Sequence, residues 1–332
     1  MSVRRVLIIG PSNIGDGILI SDSIARASQA FPDAQLTLLL GERACVLFEE
    51  DPRIHLLVDL DRHSDVASRL KLFLRLWRQA PQVIIDLRHT VYPLLLKPWR
   101  FWRYLRRPPK TIVHMHDRHL WHLKVQAPEI LRQAPQAPLA AFWLGPKDHA
   151  QVQQLLRRWN LSERAACALI CPGARSHLKR WPAEGFAAVA NRLHKELGLK
   201  IVFSGEPDEE PIIDEIRHLM TAPSHSTVGL VTMRQLGLLM RRMSVVVTND
   251  SASLHLASAM DRPVVAVFGP TDERKYGPWG AIGRVVRRRL FCAPCEQAQC
   301  RFSHECMRYV EADEVVDAVR QVLAQSAPII GR

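Results

Sequence analysis

A chain of 332 residues is too long for one ordinary α/β core and fits two domains, and its 47% hydrophobic content supports well-packed globular structure. No apolar run approaches the roughly 18–20 residues that span a bilayer. The formal charge of +12 fits anionic partners: nucleic acid, an acidic membrane surface or a phosphorylated glycolipid.

The chain begins with two arginines and only about five apolar residues after them, short of the roughly 7–15 of a secretory leader. Residues 6–9 therefore read as the first strand of a cytoplasmic protein. A turn is predicted over 13–16, a helix over 18–30, strands over 35–40 and 54–59, and an amphipathic basic helix over 66–79 with Ala67, Leu70, Leu74 and Trp77 on one face. A strand over 83–86 completes a β-α-β rhythm typical of a doubly wound domain. Order weakens after Pro93, and six prolines from Pro98 to Pro138 make 126–138 read as a linker. Between Arg88 and Lys124 stand nine Lys and Arg against one acid, Asp117, with three tryptophans and five histidines.

The rhythm resumes in the second half. Helices are predicted over 149–159, 182–197, 209–220 and 233–241, and strands over 168–171, 200–204, 245–247 and 263–269. A last amphipathic helix covers 313–324. The domains read as 1–145, 146–312 and a closing helix and tail, 313–332, expected to pack back on the first domain.

Four segments carry candidate chemistry. Residues 10–17, Gly-Pro-Ser-Asn-Ile-Gly-Asp-Gly, follow a strand and place Asp16 between two glycines. It reads as a general base at a strand's carboxyl end, or as a capping residue for the next helix. Residues 171–182 bring Arg175, Ser176 and Lys179 to a turn between strand and helix, suited to a pyrophosphate or to a solvated basic loop. Glu206 follows a strand and a glycine, where a carboxylate accepts from ribose hydroxyls or merely closes a surface turn.

The fourth, Val245 to Ala259, reads as strand, Thr-Asn-Asp-Ser turn and helix. Asp250 is expected to cap that helix, with Ser251, Ala252 and Ser253 small enough for an anion to reach its first N–H groups. His255 falls on the same face as Ser251. Cys292, Cys295, Cys300 and Cys306 make a separate group, read as structural zinc or as reduced thiols. The odd count of seven cysteines argues against a disulfide framework. A P-loop, HExxH and G-x-S-x-G are absent, and 10–17 is not the dinucleotide fingerprint G-x-G-x-x-G.

Taken in order, these segments resemble glycosyltransferase family 9, the bacterial lipopolysaccharide-core heptosyltransferases, and most of all the heptosyltransferase II type. The likeness rests on Ile9-Gly10-Pro11-Ser12-Asn13-Ile14-Gly15-Asp16, on Cys171-Pro172-Gly173-Ala174 with Lys179-Arg180-Trp181-Pro182, and on Val247-Thr248-Asn249-Asp250-Ser251 with His255 and the run from Pro263 to Thr271. It extends through both halves and is loose only over 88–140.

The resemblance implies a GT-B fold, two Rossmann-like domains with parallel sheets facing a central cleft. It implies an inverting, metal-independent transfer of heptose from ADP-heptose to the lipid A inner core, with no required cofactor. By position, Asp16 is the base and Lys179 balances the leaving diphosphate beside Ser176 and Arg175. Glu206 meets ribose, Val231 and Thr232 lie near adenine, and Asp250, Ser251, Ala252 and His255 line the diphosphate and sugar. Asn13, Arg88, Arg100, Arg103 and Arg118 would meet an anionic glycolipid acceptor. A monomer on the inner face of the inner membrane, with no nucleic-acid partner, is expected. Ala252 stands where the family commonly has glycine, and the cysteines are not something its chemistry requires. The alternatives are transfer of another nucleotide-linked sugar to an envelope glycan, a nucleic-acid-binding module, or a nicotinamide-dependent oxidoreductase.

Overall fold

The computed structural model describes residues 3–134, 142–162, 165–280 and 282–326. The chain forms two compact units, Met1–Trp143 and Leu144–Arg332.

In the first unit, β1 (Arg5–Ile9), β2 (Gln35–Leu40), β3 (Ile54–Asp59) and β4 (Val83–Asp86) form a parallel sheet in the order β3-β2-β1-β4. β1, β2 and β4 are apolar runs buried along nearly their whole length, as expected of parallel strands covered on both faces. The helices are α1 (Ile14–Leu19), α2 (Ser21–Ala30), α3 (Glu42–Cys45), α4 (Val66–Gln79), α5 (Tyr92–Leu96), α6 (Phe101–Leu105), α7 (Met115–Gln126) and α8 (Pro128–Gln133).

Several expectations need correction here. The turn at 13–16 is the start of α1, with Asn13 as its N-cap. The helix expected over 18–30 is two helices that meet at Ile20, where the Ser21 hydroxyl donates to the Ile18 carbonyl at 2.7 Å. The supposed linker is largely α8, which packs on α2 and α7; residues 135–138 of it lie outside the described residues. Proline at its first turn starts α8 rather than breaking order. α4 forms as expected but with its other side inward. Leu72 and Leu76 pack on β1, β2 and β4, while Leu70, Leu74 and Trp77 face out.

In the second unit, β5 (Cys167–Cys171), β6 (Lys200–Phe203), β7 (Ser224–Ser226), β8 (Val245–Asn249), β9 (Val264–Phe268) and β10 (Gly283–Arg287) make a parallel sheet ordered β10-β9-β8-β5-β6-β7. Its helices are α9 (Pro146–Arg158), α10 (Ala183–Leu197), α11 (Glu210–Leu219), α12 (Met233–Met240), α13 (Ala252–Ala259), α14 (Glu273–Tyr276), α15 (Glu305–Arg308) and α16 (Ala312–Ser326). α16 packs on α10 and on β8, β9 and β10 of its own unit, burying Val315, Val316, Val319 and Val322. The tail at 327–332 lies outside the described residues.

Both strand orders reverse direction at one place: between β1 and β4 in the first unit, and between β5 and β8 in the second. At such a switch point the loops leaving the two strands diverge to opposite faces, which opens a crevice at their carboxyl ends.

Candidate active site

In the first unit the reversal brings the loop after β1 beside the loop after β4. Asp16 sits in the first turn of α1, and the Asn13 Nδ2 donates to its Oδ2 at 3.4 Å. An acid in a first helical turn is favoured by the helix dipole. Asp16 is therefore on a helix rather than in a free loop, and its carboxylate is held at the end of β1. Next to it the Ser12 hydroxyl donates to Asp61 at 3.4 Å, and Asp61 also accepts from the Glu42 amide at 3.1 Å. Gly41 makes this approach possible, since a Cβ there would lie 2.1 Å from the Ser12 hydroxyl. Arg88 reaches Asp61 at 3.7 Å, an exposed pair of modest strength.

The loop carrying Arg88 is shaped by Asp86. Its carboxylate accepts from the Arg88 amide at 3.0 Å and from the Thr90 amide at 2.6 Å, and burial pushes its pKa up. Gln126 of α7 braces the same strand end, accepting from the Asp86 amide and donating to its carbonyl. Of the expected acceptor residues, Asn13 and Arg88 thus fall in one neighbourhood around Ser12 and Asp61. The other three are not brought to Asp61. Arg103 donates to the Gln126 carbonyl, Arg118 to the Ile112 carbonyl, and Arg100 stands in the turn before α6.

In the second unit the loops after β5 and β8 meet. Lys179 ends a short 3₁₀ turn over His177–Lys179, and its Nζ lies 2.7 Å from Asp250 Oδ2. The contact is an ion pair without the alignment of a good hydrogen bond. Asp250 is buried and Lys179 one-third exposed, so the cation's outer side stays open to a ligand. Asp250 is not the helix cap. Ser251 occupies that position with extended backbone, and its hydroxyl lies 3.2 Å from that of Thr248. In the first turn of α13 the Leu254 amide turns back to the Ser251 carbonyl at 3.2 Å, and the amides before it precede the helical ladder; Asp250, one residue before the cap, ties this helix end to the Lys179 ammonium.

Asn249 explains why this arrangement is fixed. It is fully buried, donates to the Pro172 carbonyl at 2.6 Å and accepts from the Trp181 amide at 3.2 Å. One side chain thereby pins both ends of the Lys179 loop to β8. Each partner left unmet in such a buried place costs about 1–3 kcal/mol. Trp181, also buried, donates its indole N–H to the Val310 carbonyl and packs edge-on against Phe186. The Arg180 Nε closes the loop on the Ala174 carbonyl at 2.9 Å.

Ser176 is half-buried in this loop and Arg175 is exposed. His255, on α13, is buried and packs against Trp279 and Tyr276, with ring centroids 5.6 and 6.4 Å away.

Glu206 is exposed at the end of β6, and the carboxylate that turns inward is Glu209. Glu209 accepts from the Glu206 amide at 3.0 Å, and burial pushes its pKa up. It lies under Gly173, where an added Cβ would come within 2.0 Å of the carboxyl group. Thr232 caps α12 and is exposed, with Val231 half-buried before it.

The family model of glycosyltransferase family 9 (heptosyltransferase) matches residues 122–305. The chain belongs to that family. It is 23% identical to lipooligosaccharide heptosyltransferase 2 of Campylobacter jejuni subsp. jejuni serotype O:2, covering 97% of this chain and 99% of that one. A solved family 9 glycosyltransferase from Veillonella parvula superposes with a TM-score of 0.82 at 20% identity, over 98% of this chain and 99% of that one. The structure of Escherichia coli ADP-heptose LPS heptosyltransferase II superposes with a TM-score of 0.72 at 20% identity, over 97% and 99%. The two parallel sheets are therefore those of the GT-B fold.

In this glycosyltransferase the four late cysteines gather. Cys292, Cys295, Cys300 and Cys306 all line one cavity of about 340 Å³ beside Leu178 and Pro270. Burial, then the neighbouring sulfurs, pushes the Cys306 thiol up to about 11. All four are free thiols. The zinc expectation is not supported: among the described residues no three His, Cys, Asp or Glu side chains are arranged to hold a metal ion. The segment instead supports the Lys179 turn, with a His304 ring nitrogen in hydrogen-bond contact with the Leu178 carbonyl.

Sequence reasoning missed Asn249, Glu209 and Asp61 as working parts. Asn249 and Glu209 carried a signal of sorts, a polar residue beside a strand's carboxyl end. Asp61 carried none, because its partners come from three other loops.

Proposed function

We propose that this glycosyltransferase moves heptose from ADP-heptose to the inner core of lipopolysaccharide, inverting the anomeric centre and using no metal ion. The observation that carries the reading is the Lys179–Asp250 pair at the β5/β8 reversal, beside the amino end of α13. A departing nucleoside diphosphate develops negative charge, and a cation next to helix amides stabilises that charge where it forms. Such groups supply what a divalent ion supplies elsewhere. The relatives named heptosyltransferase support the choice of sugar.

In this account the donor lies on the second unit. Lys179 and Ser176 hold the diphosphate, with Arg175 beside them. Asp250 orients the Lys179 ammonium. Ser251, Ala252 and His255 border the sugar, Glu206 takes the ribose, and Val231 and Thr232 border the adenine. The acceptor lies on the first unit. Asp16 removes the proton of the attacking hydroxyl, so that the new C–O bond forms as the diphosphate leaves from the opposite face. Asn13 and Arg88 hold the acceptor near Asp16. No described helix is long and apolar enough to cross a membrane; the enzyme works as a monomer on the cytoplasmic face of the inner membrane, where its acceptor is anchored.

Thermal unfolding with ADP, UDP or GDP tests the donor. ADP at about a hundred times its Kd is expected to add roughly 2.7 kcal/mol of stability, an upward Tm shift of several degrees. UDP and GDP should add little. A preference for UDP or GDP would overturn ADP-heptose as donor while leaving nucleotide-sugar transfer in place, and no shift with any of the three would overturn the donor site itself.

A further inference from the structure

α4, α5 and α6 form one layer. Leu72 and Leu76 of α4, Leu94 and Leu96 of α5 and Tyr104 of α6 all pack in one core against Leu7, Ile9 and Ile84 of the sheet. Since the inner sides of the three helices share that core, their outer sides share one surface. That surface is strongly apolar. Ten of the sixteen exposed large hydrophobic side chains among the described residues fall between residues 66 and 105. On α4, Leu70, Leu74 and Trp77 keep helical spacing; on α6 and the turn before it stand Trp99, Phe101 and Trp102. Trp99 is 69% exposed and Trp77 61%. Contiguous apolar surface of this kind marks an interaction face.

Its charge is as one-sided as its polarity. Residues 66–107 contain ten Lys and Arg against one acid, Asp86, which is buried in the sheet; Arg88 is turned to Asp61, which leaves nine, and the carboxylates at the border are Asp65, the α4 N-cap, and Glu129, whose charge acts on Lys97. Beside Leu74 opens a groove of about 530 Å³ lined by Arg5, Lys71, Arg75 and Arg78, with Gln35 and Gln79 and no carboxylate. Tryptophans that sit at the headgroup level, apolar side chains that enter the acyl boundary and arginines that meet phosphate are the three elements of an interfacial membrane contact. A protein partner would not require such a surplus of one charge. The α7 histidines and tryptophan, by contrast, are mostly buried or half-buried, so the basic stretch's carboxyl half does not belong to this surface.

We propose that the outer face of α4, α5 and α6 docks this enzyme on a bilayer rich in anionic phospholipid, with the Arg5–Lys71–Arg75–Arg78 groove taking lipid phosphates. The choice of a bilayer as occupant rests in part on the glycolipid-acceptor reading above. The face itself does not.

Co-sedimentation of the full chain with vesicles tests the assignment. One set is phosphatidylcholine alone, the other phosphatidylcholine with a quarter phosphatidylglycerol. The protein is expected to pellet with the second set and far less with the first, and added salt should weaken the association. A Trp99→Ser/Trp102→Ser variant should lower the partition coefficient by roughly tenfold or more through lost apolar burial. A Lys71→Glu/Arg75→Glu variant should lower it by a comparable factor for anionic vesicles only. These side chains are exposed or flank the groove, and the ADP-induced Tm shift reports that each variant is folded.

Failure of the wild type to pellet with anionic vesicles overturns the proposal. So does a double-tryptophan variant that pellets like the wild type. Loss of duplex-DNA binding or of self-association in the variants, with vesicle binding intact, would reassign the face to those partners. An ADP shift that persists while vesicle binding is absent separates failure of this surface from failure of the glycosyltransferase reading.

Discussion

Replacing Lys179 by alanine is expected to lower kcat/KM for sugar transfer by roughly 10²–10³-fold, the usual cost of removing one preorganised group that meets charge developing in a transition state. Two effects add. The leaving diphosphate loses its nearest cation, and Asp250, buried with its carboxylate 2.7 Å from the Lys179 ammonium, is left uncompensated. Breaking a buried pair by removing one partner costs up to about 3–5 kcal/mol. The cost here falls below that, because Lys179 is one-third exposed and water reaches its side of the pair. A Lys179→Ala/Asp250→Asn double variant removes the uncompensated charge. If the loss is catalytic, it should recover stability without recovering turnover. Lys179→Arg, which keeps the charge but changes its reach, should fall between wild type and alanine. Steady-state kinetics alongside Tm for the three variants separate the effects. Unchanged kcat/KM in Lys179→Ala would remove this residue from the reaction.

The second large effect is expected at Asp16. Asp16→Ala should lower kcat by roughly 10²–10⁴-fold, the range for loss of a positioned general base, while the ADP-induced Tm shift stays at the wild-type value. That split follows from the two compact units, since Asp16 belongs to the first and the Lys179–Asp250 pair to the second. Its carboxylate stands in the first turn of α1, so the substitution also removes a favourable helix-dipole contact worth about 0.3–1 kcal/mol. Asp16→Asn keeps the shape and hydrogen-bonding capacity and loses the base. It should be as inactive as alanine but closer to wild type in stability. Wild-type turnover by either variant would mean that another group takes the proton.

All four strands of the first sheet, its edges β3 and β4 included, were legible in the sequence, whereas the second sheet showed its inner strands and not its margins. β1, β4, β8 and β9 are built on short runs of Val, Ile and Leu, and β5 is a buried run of Cys, Ala, Leu and Ile; such apolar runs announce themselves. β7 and β10 are the outermost strands of the second sheet. β7 reads Ser-His-Ser and β10 begins and ends with Gly and Arg, compositions that make edges soluble and erase the apolar signal.

The orientation of α4 was misread for a related reason. Its sequence has two apolar stripes, one containing Leu72 and Leu76 and the other Leu70, Leu74 and Trp77. Periodicity alone does not say which one the sheet will take. The order that the chain after Pro93 seemed to lack is supplied, over its described residues, by tertiary packing: α7 is held on the sheet by Gln126, whose side chain pairs with the backbone of Asp86.

The same division runs through the site. Lys179, Asp250 and Ser251 stood out in the sequence as candidates because each lies where a strand gives way to a turn or helix, and the fold brings Lys179 and Asp250 together. Their roles were less so. Asp250 was expected to cap α13, yet it turns to Lys179 and leaves the cap position to Ser251. Glu209 rather than Glu206 turns into the fold, because the proline after Glu206 opens a tight turn that brings Glu209 back to the Glu206 amide. Asn249 joins two loops separated by 77 positions in the chain, a relation that no local pattern contains.

The central claim is heptose transfer from an ADP-linked donor. The most direct measurement is mass spectrometry of a lipid A inner-core acceptor incubated with the enzyme, ADP-heptose and a chelator. The acceptor is expected to gain the mass of one heptose while ADP is released in equal amount, and omitting the acceptor should leave the donor largely intact. Unchanged acceptor mass with ADP-heptose, together with a gain from a UDP- or GDP-linked sugar, would contradict it.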